Sequence, residues 1–386
     1  MSKSDKNGFD QNRLDHMCNV IQEDINKGDY CGANIIVARG GEIALQKHFG
    51  TSGPVKNRTI AQDSVYNLFS MTKAFTNALT LRAIEQGKFA LTTRVVDIIP
   101  EFSGGEREKI NFFHLLTHSS GLASVFSPIP GMYIDYFDEM FEAVCQNVHN
   151  VAPVGEKVTY SPLAHHVLMG EAIRRLDDKK RSLRDIYAED LFTPLGMTST
   201  ALGVRKDLKG RHNPPDWLCH FPITHLGHSD LGPNGAYEEE KAEMPWVGAV
   251  STADDIFKFA EMLRKGGALN GNRILSPAML TQATKNWTGE KPNELYRELL
   301  ISKNLDPSPA YIGLGFSMRG TAICHNQLGI LNSPNAFGNY GSGSTLFWVD
   351  PVRDITFVCL TNGVIDEHKN VLRFQKLSDL AISSAI

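Results

Sequence analysis

Hydrophobic residues recur every three or four positions near the start of the chain, which is the spacing of one face of an α-helix. The members of this stripe are Leu14, Met17, Cys18, Ile21 and Ile25. Two runs rich in apolar residues follow over 32–50, separated by the pair Gly40-Gly41. Because paired glycines suit the tight turns of hairpins, the pattern predicts a helix followed by a β-hairpin.

The next periodic segment, residues 67–87, predicts a helix that is buried on most sides. Apolar residues cover most of its circumference, and Gly87 is suited to end it because glycine readily adopts the left-handed conformation found there. A polar stripe nevertheless runs along this helix, with members three or four residues apart: Ser70, Lys73, Asn77 and Thr80. Lysine is rarely buried, so its place one turn after a serine makes this pair a candidate for chemistry.

The predicted elements change in kind along the chain. From about residue 75 to 245 the pattern is helical and rich in loops, whereas the last part alternates strands and turns before a final helix. A further helix is predicted after Ser251 or Thr252, either of which suits an N-cap. The two ends therefore predict one α/β domain, residues 1–68 and 246–386, with a mostly helical domain of residues 69–245 inserted.

Charge and composition restrict the classes of function. A net charge of −4 and a pI near 6.4 argue against a nucleic-acid or anionic-membrane partner. No run approaches the roughly 18 apolar residues of a membrane span. The six cysteines are scattered without a C-x-x-C pair, and residues 1–17 have no apolar segment typical of a secretory signal. We therefore expect reduced thiols and a cytoplasmic location.

Ser70 and Lys73 have the chemistry of a nucleophile and its base. The N–H of a serine at a helix start is one of the unpaired donors of the first turn, so it can form half of an oxyanion hole. If the lysine is desolvated its pKa falls, and the neutral amine can accept the serine proton. An S-x-x-K spacing alone also fits a polar helix face with a capping serine, so the interpretation depends on the rest of the chain.

Three further stretches supply that context: HLLTHSSGL (114–122), GAVSTADDIFKFAEMLRKGGALNGNRILSP (248–277) and GLGFSMRG (313–320). With the S-x-x-K pair, they make the chain resemble the serine β-lactamases and penicillin-binding proteins along nearly its whole length. Within that superfamily it is most similar to family VIII carboxylesterases and related acyltransferases, and less to class C β-lactamases. The resemblance implies an α/β (α+β) fold, in which an antiparallel sheet is flanked by helices and a mostly helical domain is inserted.

The resemblance also implies a catalytic role for three residues. Ser70 matches the nucleophile, and Lys73 matches the base beside it. Tyr160 matches a tyrosine whose phenol exchanges a proton with the nucleophile and the leaving group. Because free tyrosine titrates near pH ~10, this role calls for a nearby cation, for which Lys73 is the candidate.

The family's third motif falls on Asn339-Tyr340-Gly341. Glycine at position 341 lets a substrate approach the strand edge closely. The resemblance implies that the N–H of Ser342 joins that of Ser70 in the oxyanion hole. Asn339, Tyr340 and Gly341 are accordingly expected to bind substrate.

Two positions depart from the family pattern. Pro162 stands where relatives have an asparagine, and it offers neither a side-chain amide nor an N–H. Asn339 stands where relatives carry a cation, and it cannot pair as a charge with a substrate carboxylate. Both departures argue against β-lactam turnover while leaving acyl transfer at Ser70 intact.

Other residues suggest weaker hypotheses. Trp246 and Tyr133 are candidates for the wall of an apolar acyl pocket. Adjacent His165 and His166 lie on a predicted helix and are expected at its surface. A Pro/Gly-rich region contains four histidines: His212, His220, His225 and His228. None has a carboxylate or cysteine at helical ligand spacing, so neither a metal site nor a cofactor is predicted.

The residues and the resemblance together imply a serine hydrolase that is acylated on Ser70 by a small carboxylic ester and releases the acyl group to water. Three alternatives remain open: transfer of the acyl group to an alcohol or amine, a weak β-lactamase or amidase activity, and a non-catalytic ligand-binding member of the fold. The presence of Ser70, Lys73 and Tyr160 together argues against the last of these.

Overall fold

The computed structural model describes residues 7–53, 57–215 and 235–386. The helices are α1 (Gln11–Asn26), α2 (Thr72–Glu85), α3 (Phe112–Leu116), α4 (Phe137–Asn147), α5 (Ala164–Arg175), α6 (Leu183–Tyr187), α7 (Ala253–Arg264), α8 (Pro277–Ala283), α9 (Glu294–Ser302) and α10 (Glu367–Ser383). The strands are β1 (Gly32–Arg39), β2 (Glu42–Gly50), β3 (Val65–Asn67), β4 (Ala201–Leu202), β5 (His212–Asn213), β6 (Ala249–Ser251), β7 (Ala268–Leu269), β8 (Asn272–Arg273), β9 (Ser317–Met318), β10 (Phe337–Gly341), β11 (Thr345–Asp350) and β12 (Ile355–Thr361).

A six-stranded sheet with the order β2-β1-β12-β11-β10-β9 forms the centre of the structure, and every neighbouring pair in it is antiparallel. The predicted hairpin is confirmed: β1 and β2 are joined at Gly40 and Gly41, whose φ angles of 61° and 88° are those of a primed hairpin turn. Strand β1 lies between β2 and β12, so the beginning and the end of the chain meet in the middle of the sheet.

The two faces of the sheet are covered by different parts of the chain. Ile35 and Val37 of β1 pack in a cluster with apolar residues of α1 and α10, whereas Ile36 packs in a larger cluster that includes α2, α5 and α7. This alternation follows from the two-residue period of a strand. Because both faces are covered, β1 is apolar along nearly its whole length instead of alternating with polar residues.

The serine segment differs from its predicted form at its start. The helix was predicted to begin at residue 67. Instead, residue 67 ends β3, residues Phe69–Met71 form a 3₁₀ turn, and α2 begins at Thr72. Strand pairing of Asn67 with Val250 of β6 accounts for the later start. At the other end, Gly87 has a φ of 73° and donates its N–H to the Ile84 carbonyl, as predicted for a helix end.

Helix α7 also begins as predicted, because the Thr252 side chain caps it by accepting the N–H of Asp255. A second, four-stranded sheet with the order β4-β6-β3-β5 combines strands from both sides of the predicted domain boundaries. The division into two domains, 1–68 with 246–386 and 69–245, stays a prediction. Among the helices in the described ranges, none has the length and apolarity needed to cross a bilayer.

Candidate active site

Ser70 lies in a tight turn that is fixed from several sides. The residue before it, Phe69, has a φ of 51°, a left-handed conformation that is costly for a residue with a bulky side chain. Its ring stacks on Tyr237 with a centroid distance of 4.6 Å. The carbonyl of Leu68 accepts the hydroxyl of Thr345 at 2.8 Å, so the start of β11 anchors the turn. These contacts hold Ser70 half-buried at the edge of a cleft.

Two glycines allow the β10–β11 connection to lie directly against this turn. A Cβ on Gly341 would be 2.1 Å from the Leu68 carbonyl oxygen, and a Cβ on Gly343 would be 2.2 Å from the ring of Phe69. Either side chain would force the turn and the strand apart. Ser342 lies between the two glycines and therefore beside the turn that carries Ser70. This placement brings together the two residues expected to supply oxyanion N–H groups.

Lys73 is 2% exposed, one turn along from the serine. Its Nζ lies 3.1 Å from Ser70 Oγ and donates to the Trp246 carbonyl at 2.8 Å. Burial lowers the pKa of Lys73 well below its usual value, because the charged amine would lose its hydration. A neutral amine can donate one N–H to Trp246 and turn its lone pair towards Ser70. The geometry is that of a serine with an adjacent base.

Tyr160 completes the arrangement at the serine. Its hydroxyl is a hydrogen-bond partner of Ser70, and Lys73 Nζ lies 5.3 Å from the centroid of its ring. The backbone of Tyr160 is fixed at both ends: its N–H donates to Asn293 Oδ1 at 3.1 Å, and its carbonyl accepts the Ser124 hydroxyl at 2.8 Å. Burial raises the pKa of Tyr160 above its usual value, and the role of Lys73 as a cation beside the phenol stays a prediction. The phenol of Tyr160 therefore keeps its proton at neutral pH.

A cluster of buried histidines lies close to Lys73 and Tyr160, and here the sequence-based expectation was wrong. His165 and His166 are each 1% exposed instead of lying at the surface of α5. His165 Nε2 lies 2.6 Å from the Ser120 hydroxyl, and its Nδ1 lies 3.1 Å from Nδ1 of His118. Burial lowers the pKa of all three histidines, so they are neutral. Helix α5 is buried around its whole circumference, which leaves these side chains no solvent-exposed face.

Asn339 and Tyr340 of the third motif line the cleft beside the serine, whereas Gly341, also expected to bind substrate, is not part of the cleft wall and packs against Leu68. The side-chain amide of Asn339 donates to the Gly315 carbonyl at 3.1 Å, and its Oδ1 is buried without a hydrogen-bond partner in the described part of the chain. The hydroxyl of Tyr340 lies 3.2 Å from that of Tyr296. One N–H of the Asn339 amide is therefore already bound within the protein. The unpaired oxygen of the same amide would repel the carboxylate of a ligand.

Trp246 and Tyr133, expected to bind substrate, are not among the residues that line this cleft. The side chain of Trp246 is 2% exposed and packs in the hydrophobic core, so only its carbonyl reaches the site, through Lys73. Tyr133 is 41% exposed. Pro162 is buried just before α5. Trp246 and Tyr133 were predicted to line the cleft from their residue type alone. Residue type does not specify where a side chain packs.

Several residues that the sequence did not identify complete the wall of the cleft. The polar ones include Asn293, Tyr296, His325, Glu367 and His368. They come from α9, from the start of α10 and from the segment between α9 and β10, which are brought to the serine only by tertiary packing. No motif or periodicity marks them, and their one sequence-level signal is polarity next to an apolar run.

Within the part of the chain that the structure describes, no group of three or more His, Cys, Asp or Glu side chains is placed to hold a metal ion. His212 is buried, and its Nε2 lies 2.7 Å from Asn67 Oδ1. The other histidines of that region, His220, His225 and His228, lie outside the described residues.

One family profile and two related proteins show which known proteins the sequence is similar to. The sequence profile of the β-lactamase family matches residues 18–380. Penicillin-binding protein 4 from Amycolatopsis lactamdurans is 28% identical over 226 residues, which are 57% of this chain and 56% of that protein, so the chain spans about half the length of this relative. A protein of Escherichia coli (strain K12) named "Putative D-alanyl-D-alanine carboxypeptidase" is 24% identical over 413 aligned residues, 97% of this chain and 88% of that protein.

Solved structures share the fold at lower sequence identity. EstCE1, described as a hydrolase with promiscuous acyltransferase activity, superposes with a TM-score of 0.76 at 18% identity, covering 95% of this chain and 98% of that one. A family VIII carboxylesterase superposes with a TM-score of 0.72 at 18% identity, covering 96% of this chain and 97% of that one. The predicted fold, an antiparallel sheet flanked by helices as in β-lactamases and transpeptidases, is confirmed.

Proposed function

Because the chain belongs to the β-lactamase family, we propose that it is a serine hydrolase that cleaves small carboxylic esters through an acyl-enzyme on Ser70. The observation that carries the proposal is the buried amine of Lys73, 3.1 Å from Ser70 Oγ, with the Tyr160 hydroxyl on the same serine. A lysine with a lowered pKa beside a serine, and a neutral phenol able to give a proton, are the groups that acyl transfer requires.

In the proposed reaction, Ser70 Oγ attacks the ester carbonyl while its proton passes to Lys73 Nζ. The N–H groups of Ser70 and Ser342 stabilise the negative charge that develops on the carbonyl oxygen. As the carbon–oxygen bond breaks, Tyr160 gives its proton to the leaving alkoxide and regains one from Lys73. A water molecule then attacks the acyl-enzyme, with the same groups moving protons in reverse, and releases the acid.

The charges around the cleft favour a neutral ester over substrates that end in a carboxylate. Of the described residues that line the cleft, Lys73 is the only lysine or arginine, and its Nζ is occupied by Ser70 and Trp246. Asn339 donates to Gly315 instead of facing a ligand anion. A β-lactam or a peptide with a terminal carboxylate would therefore lose a charge-assisted contact, whereas a small ester needs only the oxyanion donors and the Ser70–Lys73–Tyr160 group.

Transfer of the acyl group to an alcohol is a second candidate, favoured by the apolar part of the cleft wall. Leu299, Ile312 and Val371 line it and provide a surface on which an alcohol acceptor could compete with water. The ratio of ester product to free acid, measured with and without added alcohol, separates the two reactions.

The test of the proposal is covalent labelling combined with turnover of p-nitrophenyl acetate and butyrate. A serine-directed phosphonate should add one label, and Ser70→Ala should abolish both labelling and turnover. Ser103→Ala, at an exposed position that does not line the cleft, is the matched control and should behave as the wild type. Labelling that survives in Ser70→Ala would exclude Ser70 as the nucleophile.

We also propose that the protein works in a reducing compartment such as the cytoplasm. Five of the six cysteines lie in the described ranges and form no disulfide with one another, while Cys219 lies outside them. Reduced thiols are the rule in the cytoplasm and uncommon in secreted proteins. Recovery of the native protein from a periplasmic or secreted fraction would contradict this location.

A further inference from the structure

Glu367 is an acidic residue in a cleft that otherwise has almost no charge. It is the first residue of α10, and it lines the cleft together with Tyr296 and Tyr340. Of the described cleft residues it is the only aspartate or glutamate. The proposed ester hydrolysis uses Ser70, Lys73 and Tyr160 and gives Glu367 no task.

The hydrogen bonds of this carboxyl group are incomplete. The Tyr296 hydroxyl is a hydrogen-bond partner of Glu367 and also lies 3.2 Å from the Tyr340 hydroxyl. The Oε1 atom of Glu367 is buried and has no hydrogen-bond partner in the described ranges of the chain. A buried acceptor that is left unpaired is unfavourable, and a donor brought by a ligand would remove that penalty.

No lysine or arginine of the described cleft wall forms an ion pair with the carboxylate. Lys73, the one lysine or arginine there, is directed at Ser70 and Trp246. His368, the next residue along α10, has a pKa below its usual value, with burial as the main cause. Burial also raises the pKa of Glu367 to about 7, as expected for a carboxyl group that lacks a positive neighbour.

The groups around Glu367 suit a positively charged ligand. Tyr296 comes from α9, Tyr340 from β10 and Tyr160 from the segment before α5, so phenol groups from three parts of the chain line the same cleft as the carboxylate. The ring centroids of Tyr160 and Tyr296 are 6.2 Å apart. Aromatic rings attract cations through their faces, and hydroxyl oxygens accept hydrogen bonds from an ammonium group.

We propose that the Glu367 end of the cleft binds a positively charged nitrogen of the substrate, so that the enzyme prefers esters carrying an ammonium group to uncharged esters of the same shape. The inference rests on the proposed function of Ser70 as an ester-cleaving nucleophile. Tyr160 contacts the serine and Tyr296 contacts Glu367, so the carboxylate is separated from Ser70 by these two neighbouring rings. The nitrogen therefore lies several bonds from the scissile carbonyl.

The first experiment measures binding without turnover. Calorimetry compares hexylammonium with 1-hexanol at mildly alkaline pH, where a carboxyl group of pKa about 7 is mostly ionised. The wild type should bind hexylammonium with a Kd about tenfold lower or more, and Glu367→Gln should reduce the difference to about twofold or less. Equal binding of the two ligands by the wild type, or a preference that persists in Glu367→Gln, would overturn the proposal.

A matched control separates this site from the general charge of the protein. Glu298→Gln removes the same charge from an exposed position on α9 that is not part of the cleft wall. It should keep the full preference for hexylammonium. A loss equal to that of Glu367→Gln would show a long-range charge effect and contradict a specific site. The wild-type comparison of the two ligands stands even if Glu367→Gln folds poorly.

The second experiment identifies which side of the ester carries the nitrogen. 6-Aminohexyl butyrate against heptyl butyrate tests the alcohol side, and p-nitrophenyl 6-aminohexanoate against p-nitrophenyl heptanoate tests the acyl side. The cationic member of one pair should have a kcat/KM about tenfold higher or more, and the ratio should approach one in Glu367→Gln. Ratios near one for both pairs in the wild type would overturn the proposal.

The two proposals fail in different ways. If the protein is not a serine esterase, no ester of either pair is cleaved and the phosphonate does not label Ser70. The proposed function and the preference among esters are then both wrong. The calorimetric result then shows whether the cation site itself exists. If the esters are cleaved without regard to charge, the proposed function stands and the role of Glu367 is wrong.

Discussion

Asn77 on α2 and His166 on α5 are joined by a hydrogen bond of 3.0 Å between Oδ1 and Nε2. The amide nitrogen of Asn77 donates to the Gly315 carbonyl at 2.7 Å, so its oxygen must be the acceptor and His166 must donate from Nε2. A single polar side chain on the serine helix therefore ties together α5 and the segment that precedes β9. This is the structural role of the third member of the polar stripe, whose first two members are Ser70 and Lys73.

Lys73→Met should lower kcat by about 10²–10⁴-fold, because it removes the base beside Ser70 while keeping an unbranched side chain. The protein should fold, with a thermal midpoint equal to or above that of the wild type, since a buried amine is replaced by an apolar group. Steady-state kinetics and thermal unfolding measure the two effects. Lys109→Met, at an exposed position, is the control. Near wild-type kcat in Lys73→Met would mean that another group is the base.

Tyr160→Phe should lower kcat by about 10²–10³-fold, the range expected for loss of a proton-transfer group. The substitution keeps the ring, which lies 5.0 Å from the imidazole of His118, and removes only the hydroxyl that contacts Ser70. Tyr30→Phe removes a buried hydroxyl outside the cleft and should leave kcat unchanged. If the two variants had the same kcat, the role of Tyr160 would be reduced to packing.

Gly343→Ala should reduce kcat/KM by about tenfold or more, because the new Cβ would lie 2.2 Å from the ring of Phe69 and displace the serine turn. Overpacking of this kind costs about 1–3 kcal/mol of folding free energy. Gly210→Ala is the control, since a Cβ there would meet no atom within 4 Å. Kinetics and urea unfolding of both variants give the comparison. Full activity in Gly343→Ala would show that the turn tolerates movement.

The buried histidines should make the protein sensitive to acid. Burial lowers the pKa of His165 from the usual 6.5 to about 3, so below pH 6.5 the unfolded chain takes up a proton that the folded protein does not. The free energy of unfolding is thus fully retained above that pH and falls as the pH drops from 6.5 towards 3, by at most ~1.4 kcal/mol per pH unit for this group.

His165→Gln should therefore flatten the dependence of unfolding free energy on pH in that window, measured by urea unfolding at a series of pH values. His118 and His166 shift in the same direction and should keep a residual slope. His16→Gln, on the exposed side of α1, is the control and should preserve the wild-type slope. An unchanged slope in His165→Gln would show that this imidazole takes up a proton as readily in the folded protein as in the unfolded chain.

β-Lactam turnover should be slow compared with ester cleavage. Nitrocefin carries a carboxylate, and the third motif offers it Asn339, while Lys73, the one lysine or arginine of the described cleft wall, contacts Ser70 and Trp246. A lost charged contact and an unpaired polar group, each about 1–3 kcal/mol, together lower kcat/KM by roughly a hundredfold or more. The measurement is kcat/KM for nitrocefin against p-nitrophenyl butyrate. A preference for nitrocefin would show that a cation reaches the cleft from elsewhere in the chain.

Features governed by local rules were predictable from the sequence. The Gly40-Gly41 hairpin, the end of the serine helix at Gly87 and the cap of α7 at Thr252 each depend on a few neighbouring residues, and each has the predicted form. The proximity of Lys73 to Ser70 follows from helical spacing alone. The approach of Tyr160 came from family resemblance, since 90 residues separate it from the serine in the chain.

Features decided by tertiary packing were not predictable. His166 was expected at the surface because the sequence does not show that it has a buried hydrogen-bond partner. That partner, Asn77, lies on a different helix. Trp246 was expected to touch substrate, yet its side chain is in the core and only its carbonyl reaches the site. Glu367 went unnoticed because a glutamate at the start of a helix is ordinary in sequence, and only its contact with Tyr296 across the cleft makes it unusual.

The anchoring of the serine turn by Thr345 has a consequence for biosynthesis. Leu68 accepts the Thr345 hydroxyl, and β1 has β12 as its neighbour in the sheet, so residues near both ends of the chain must meet before the turn has its final shape. Contacts over such sequence separations require closure of a long loop, which costs conformational entropy. A ribosome-bound chain that has passed Lys73 but not Thr345 therefore lacks the hydrogen bond that anchors the serine turn, and the turn gains this support only when synthesis is nearly complete.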